Sequence, residues 1–437
     1  MKQQNNPPFA GLKAFLLLWS TQALSALGSA MTSFALVVWS YEQQGSALTT
    51  ALLSVCSYAP YVLLSIFAGA LSDRWDKKRT MLVCDSLAAL STLGVLALLR
   101  AGCLQIWHLY ALNALNGLMN TLQQPASDVA ASLLAPREQY QRVGGLRALS
   151  CSLTTVLSPV LATAAYALAG MDAVILIDLA TFAVAFAALA FFIRVPKPEA
   201  GAETPEPVLQ AVKSGLRFLR RNRGILDLIL FLAAINLTAS MYNAALPAML
   251  LPRPDGGRAA LGLVEMCAGL ANVAGSLIVS LAPAPKSRVR AIVGSLLFAM
   301  STENLILALG KSLPVWCVGA VLGWLFIPVM NANLDVLFRS HIPIRMQGRV
   351  YAARNSLQFF TIPVGYLLGG ALVDHVCEPF MAAQTADSPF RALFGAGKGA
   401  GAALLFAGLA VLGVATCLYF RRSPHIRRLE QAEHMHK

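Results

Sequence analysis

From Ala10 to Phe420 the chain is a succession of apolar runs, most of them at or above the roughly 20 residues that a helix needs to cross about 30 Å of hydrocarbon. Twelve such spans can be read, at about 10–40, 46–70, 79–99, 105–134, 140–169, 173–194, 224–250, 260–282, 288–310, 314–338, 348–374 and 395–420. Lipid offers the backbone no hydrogen-bond partners, so a spanning chain must be helical or form a closed barrel. These runs are rich in Ala, Leu and Gly and lack the short alternating segments of barrel strands, which leaves an all-α membrane protein. Composition agrees: 57% of the 437 residues are hydrophobic and 13% are charged, against about 25% charged in a typical globular domain. The first run is too long for a cleaved signal peptide and is followed by no convincing cleavage site, so it is expected to remain as span 1.

Charge placement tests the count. With twelve spans and a cytoplasmic start, 28 of the 34 Lys and Arg residues fall on the cytoplasmic side. The other 6 (Arg100, Arg253, Arg258, Lys311, Arg391 and Lys398) fall outside. Every loop then obeys the positive-inside rule, and an odd count would scramble it. The net charge of +13 is thereby accounted for by topology, and no nucleic-acid partner is expected. The eight cysteines are scattered through or beside apolar runs without metal-ligand spacing, so they read as small packing residues. No metal, cofactor or disulfide framework is expected.

The chain divides near its middle. Residues 195–207 carry Pro196, Pro198, Pro205 and Pro207, an extended linker. Val208, Val212, Leu216 and Leu219 then recur at helical spacing among Lys213, Arg217, Arg220 and Arg221, as in a basic amphipathic helix lying on the inner leaflet. The expected organisation is an N-terminal six-helix bundle over 1–194, a cytoplasmic linker over 195–223, a C-terminal six-helix bundle over 224–420 and a basic cytoplasmic tail over 421–437. The two bundles repeat. At an offset of 207, Asp128, Val129, Pro136, Arg142, Val143 and Arg147 match Asp335, Val336, Pro343, Arg349, Val350 and Arg354. Parallel six-span repeats are the internal symmetry of one large transporter class.

Between spans 2 and 3 stands the densest charge cluster, GALSDRWDKKRTML, Gly69 to Leu82. With Gly69, Leu71, Asp73, Arg74, Lys77, Lys78 and Leu82 it resembles the loop 2-3 motif of the major facilitator superfamily, departing once, at Asp76, where the pattern usually has Gly. The stretch FLLLWSTQALSALGSAMTSFALVVWSYEQQGSA looks more narrowly like the bacterial macrolide-efflux and enterobactin-exporter branch. The resemblance covers essentially the whole chain. It implies that Gly69 and Leu71 let spans 2 and 11 approach closely, and that Asp73 faces the N-terminal end of span 11, where unpaired N–H groups favour an anion. It further implies a charge relay between Lys77 and Asp128, and a gating role for the cluster together with Asp335, Arg349 and Arg354. One feature departs from an antiporter. Span 5 reads SLTTVLSPVLATA, without the glycines expected around Pro159.

The resemblance lines a substrate cavity with spans 1, 4, 7 and 10, and each of these carries a polar stripe at helical spacing. Span 1 has Gln22, Ser25, Ser29 and Ser33, and span 4 has Asn113, Asn116, Asn120 and Gln124. Span 7 has Asn236, Ser240 and Asn243, and span 10 has Trp324, Asn331 and Asp335. Polar groups facing lipid are costly, so these faces point inward, for a cavity or for packing between helices. No Lys or Arg lies near mid-membrane, which suits a neutral or cationic, bulky, partly apolar small-molecule substrate. Four acids lie within apolar runs. Asp85 reads as structural, whereas Glu265, Asp178 and Glu303 are the proton-coupling candidates, Glu265 first.

The sequence therefore points to a multi-pass secondary transporter of the bacterial plasma membrane with both termini cytoplasmic. It is expected to act as a monomer in lipid, using protons to drive multidrug efflux and so confer antibiotic resistance. The alternatives are an exporter of one endogenous metabolite, such as a siderophore, and a receptor or lipid-handling protein on the same fold. With no GxxxxGK[ST] motif and no nucleophile, metal or acid/base constellation, neither an ATP-driven pump nor an enzyme is expected.

Overall fold

The computed structural model describes residues 8–136, 139–196, 208–283 and 285–426, and regular structure among them is helical throughout. The helices are α1 (Pro8–Gln44), α2 (Ala47–Arg74), α3 (Lys77–Arg100), α4 (Ile106–Leu134), α5 (Tyr140–Ala187), α6 (Val208–Arg221), α7 (Arg223–Leu250) and α8 (Arg258–Leu281). There follow α9 (Arg288–Leu309), α10 (Leu313–Trp324), α11 (Ile327–His341), α12 (Ile344–Phe359), α13 (Thr361–Leu372), α14 (Glu378–Ala382), α15 (Pro389–Phe394) and α16 (Ala400–Arg422). π-helical turns extend α5 (Ala188–Phe192) and join α13 to α14 (Val373–Cys377).

Among the described residues, 10 segments have the length and apolar composition to cross a membrane. One of them, Val143–Phe192, is 50 residues long and holds two helices. Ala169 (φ −144°) and Gly170 (φ 73°) break it, and the positive φ is one that glycine adopts without steric cost. α4 is 29 residues long but carries the Asn and Gln stripe, and it is not among the ten. With that break counted and α4 added, each of the twelve runs in the sequence has a helical counterpart. Two further interruptions coincide with proline. Pro328 opens α11 and Pro363 lies in the first turn of α13, where a missing N–H is tolerated.

The chain forms two compact units, Met1–Leu36 with Cys56–Pro205, and Val37–Val55 with Glu206–Lys437. The first has a core of Phe15, Leu18, Met81, Ala126, Ala130, Leu189 and Ile193. Its helices approach closely: a Cβ at Gly117 of α4 would lie 2.1 Å from the carbonyl oxygen of Ser57 on α2. Gly117→Ala is therefore expected to cost about 1–3 kcal/mol through overpacking, read as a lowered melting temperature of the purified protein. A melting temperature equal to that of wild type would contradict this packing.

The core of the second unit runs from Ile225, Phe231 and Leu232 on α7 through Leu296 on α9 to Phe338, Val350 and Cys417. Leu219 of α6 is fully buried in that core, with Lys213, Arg217 and Arg220 exposed. The amphipathic helix thus rests part of its apolar face on protein, against α12. Residues 37–55, the turn from α1 to α2, belong to this unit through long-range polar contacts. The Asp374 carboxylate accepts hydrogen bonds from Ser46 Oγ (2.6 Å) and from the backbone N–H of Ala47 and Leu48 (2.9 Å each), capping α2. Arg258 forms a two-pronged pair with Glu42, with Nη2 to Oε2 at 2.7 Å, and Tyr41 donates to the carbonyl of Ala248.

Candidate functional site

Within the first unit lies a cavity of about 680 Å³. Its polar lining follows from helical spacing. On α1, Gln22, Ser25, Ser29 and Ser33 recur every three or four residues and fall on one face, and on α4 Asn113, Asn116, Asn120 and Gln124 do the same. Trp19, Phe15 and Phe182 add aromatic surface, and α3 contributes Asp85 and Thr92. The second half of α5 contributes Asp178, which is 4% exposed and accepts a hydrogen bond from Ser29 Oγ at 2.9 Å. Asp85 accepts from Gln22 Nε2 on one oxygen (3.2 Å) and from Gln123 Nε2 on the other (2.5 Å). Asn113 donates to its own helix at Leu109, while Asn116 Oδ1 and Ser150 Oγ are buried without a hydrogen-bond partner among the described residues. The eight stripe residues that the sequence places on spans 1 and 4, Gln22, Ser25, Ser29, Ser33, Asn113, Asn116, Asn120 and Gln124, thus meet in one cavity. Gln123 and Asp85 join them there. The sign of Gln123 was its place beside Gln124 on a helix already polar over two turns.

The second unit distributes its polar residues differently. Asn236 donates to the carbonyl of Gln358 (3.5 Å), Ser240 is 4% exposed, and Asn243 and Asn331 are exposed. Trp324 donates from Nε1 to Glu303 Oε1 at 3.0 Å, and Glu303 is 5% exposed on α9. Tyr242 of α7 lies against the same carboxyl and within electrostatic reach of Glu265, which is half-buried on α8. Glu303, one of the proton-coupling candidates, is thus enclosed by Tyr242 of α7 and Trp324 of α10.

Of the charged motif, Gly69 and the side chains of Leu71, Asp73 and Arg74 lie outside the described residues, as does that of Arg349. Lys77 is 4% exposed. Lys78 donates to the carbonyls of Ala190 (2.9 Å) and Ile193 (2.7 Å), satisfying the C-terminal end of the α5 π-turn with a cation, as a helix dipole favours. Asp76, the departure from the family pattern, caps α3 by accepting from Arg79 N at 2.9 Å. Asp128 forms an ion pair with Arg147. At the repeat-related position Arg354 donates to Gln358 Oε1 (3.0 Å) and lies 4.7 Å from the Phe338 ring centroid, and Asp335 is exposed. Among the described residues no group of three or more His, Cys, Asp or Glu is placed to hold a metal ion.

The model of the Major Facilitator Superfamily matches residues 18–302. Macrolide efflux protein A of Streptococcus pyogenes is 24% identical over 368 residues, covering 83% of this chain and 90% of that protein. The multidrug efflux pump Tap of Mycobacterium bovis is 22% identical over 386 residues, covering 86% and 89%. Among solved structures, the nucleoside transporter NupG superposes with a TM-score of 0.69 at 11% identity, covering 94% of this chain and 99% of that one. A bacterial homologue of the iron transporter ferroportin, in an inward-facing state, gives 0.63 at 16% identity with the same coverage. At such identities the structural likeness speaks for the fold alone.

Proposed function

We propose, on the premise that this chain belongs to the Major Facilitator Superfamily and to its macrolide-efflux-like branch, that it exports bulky, partly apolar drugs or natural products by proton-coupled alternating access. Its relatives and fold neighbours are transporters rather than enzymes, and it is a multi-pass protein of the bacterial cell membrane. The rest is our reading. The chain crosses the membrane twelve times with both termini inside, works as a monomer in lipid, and uses the cluster Gly69 to Lys78 with Asp128, Asp335, Arg349 and Arg354 as its inner gate.

The observation that carries this reading is the cavity of the first unit, whose volume suits a drug-sized molecule and whose wall mixes carboxamides, hydroxyls and aromatic rings. Such a wall holds an amphiphile by apolar surface and orients it by a few polar contacts. Coupling is assigned to Glu303 with Glu265, which share Tyr242, with Asp178 as a packing acid of the α1–α5 contact. Buried carboxyls in a membrane bundle are expensive unless they do chemistry. Cells expressing the protein are expected to accumulate several-fold less of a macrolide or fluorescent dye than cells without it, and a proton uncoupler is expected to abolish the difference. Equal accumulation across a broad panel of compounds, with or without uncoupler, would refute the reading.

A further inference from the structure

We infer that Asp374 is a releasable outer latch: its carboxylate, seated on the N-terminus of α2, holds the outer side of the protein closed and lets go when that side opens. This deepens the alternating-access reading and rests on it for its biological meaning.

The latch acts on the turn from α1 to α2. Both helices lie largely in the first unit, yet residues 37–55, their outer ends, belong to the second. Motion of one unit against the other on the outer side must therefore bend these helices or release their ends. Asp374 holds the end of α2 through Ser46 Oγ and the N–H groups of Ala47 and Leu48, and Ala47 is fully buried. The residue stands in the π-helical turn Val373–Cys377, and such turns often mark functional sites. Four residues on, Glu378 accepts from the backbone N–H of Gly399 (2.9 Å) and Ala402 (3.3 Å), at the start of α16, which lies wholly in the second unit. One carboxylate thus anchors the turn in its own unit, and the other reaches a helix that leaves it. Gly370, one turn before Asp374, lets the two backbones meet, since a Cβ there would lie 2.7 Å from the Leu48 Cα. A grip of this kind is reversible, because water can replace the carboxylate on exposed N–H groups once the surfaces part.

The arrangement is reciprocal to the one expected at the inner side. Asp73 belongs to the last turn of α2 and is expected to face the N-terminal end of span 11. Asp374 belongs to the far end of span 11 and caps the N-terminus of α2. Each span offers a carboxylate from its C-terminal end to the first turn of the other, so that one contact holds while the other is released.

The test uses the full-length protein in spheroplasts, with a membrane-impermeant maleimide applied from outside. Labelling is followed site by site with mass spectrometry, so the native cysteines stay in place. Thr50→Cys, one turn into α2 and 3% exposed, reports on the latch itself, and Ser33→Cys reports on the cavity of the first unit. Asp374→Ala is expected to raise the labelling rate at both positions about tenfold, the effect on a minor population of losing a hydrogen bond to a charged group. Asp374→Asn and Gly370→Ala, the second of which keeps the carboxylate but presses on Leu48, are expected to give smaller shifts in the same direction and decide the matter if Asp374→Ala does not fold. A rise at residue 50 alone would mean that the cap only stops a helix end from fraying, and would overturn the proposal. Unchanged rates at both positions would overturn it as well. Drug accumulation in cells tests the other reading separately: faster labelling at both positions in a protein without efflux would refute export and leave the latch standing.

Discussion

Glu303→Gln is expected to abolish uncoupler-sensitive efflux, lowering the transport rate at least tenfold, in a protein that still folds. Glu303 is 5% exposed inside the second unit and receives the Trp324 indole N–H at 3.0 Å. Glutamine keeps the size of the side chain and an oxygen to accept that hydrogen bond, so the enclosure is preserved. It removes the one property glutamine cannot imitate, a proton that can leave and return. The enclosure itself has a sequence cause. A Cβ at Gly323 of α10 would lie 2.2 Å from Glu303 Oε2, so only glycine at that position lets the carboxyl lie against α10. Gly323→Ala is expected to act in the same direction while also costing about 1–3 kcal/mol of stability by overpacking. Drug-driven proton movement measured in proteoliposomes separates the two. Wild-type rates and unchanged uncoupler sensitivity in Glu303→Gln would remove Glu303 from the coupling path and leave Glu265 as the acid to test.

Asp374→Ala is expected to lower stability by about 2–3 kcal/mol, because it strips the first two N–H groups of α2 of their acceptor and leaves Ser46 Oγ, which accepts from Thr49 N, as the remaining cap. The carboxylate receives Ser46 Oγ at 2.6 Å and the N–H groups of Ala47 and Leu48 at 2.9 Å, and it meets the positive end of the α2 dipole. Truncation leaves two backbone donors without an acceptor where water has limited access. Asp374→Asn keeps an accepting oxygen and should recover part of the loss. The Glu42 and Arg258 pair in the same region is the useful contrast. Both side chains are well exposed, at 31% and 41%, and such pairs contribute only about 0–1 kcal/mol, so Glu42→Gln should barely shift the melting curve. A melting temperature of Asp374→Ala within a degree of wild type would show that the cap is replaceable.

The helical architecture and the polar faces of α1 and α4 were legible in the sequence because both are periodic, local properties. A residue every three or four positions on one helix shares a face, whatever surrounds it. What stayed hidden depends on pairing at a distance. Asp374 and Ala47 are 327 positions apart, and nothing near Asp374 marks it as the cap of another helix. Asp85 read as structural, but its partners, Gln22 and Gln123, come from two other helices and no local pattern names them. Glu303 was one candidate acid among three, because span order alone does not reveal which helix face turns inward. The small turn at Gly170 was visible only as a gap between two apolar runs, and the structure makes it a break of two residues within one continuous helical segment. Asp76 shows the opposite case. It breaks the family pattern in sequence, yet it meets a local need as the cap of α3.

The most direct measurement is drug uptake into proteoliposomes with an acidic lumen, using radiolabelled erythromycin, with Glu303→Gln liposomes as the matched control for passive trapping of a weak base. Wild type is predicted to take up drug well above the Glu303→Gln level, to release luminal protons as it does so, and to lose both effects when an uncoupler collapses the gradient. Uptake identical in wild-type, Glu303→Gln and protein-free liposomes, with no drug-dependent proton release, would contradict proton-coupled export by this protein.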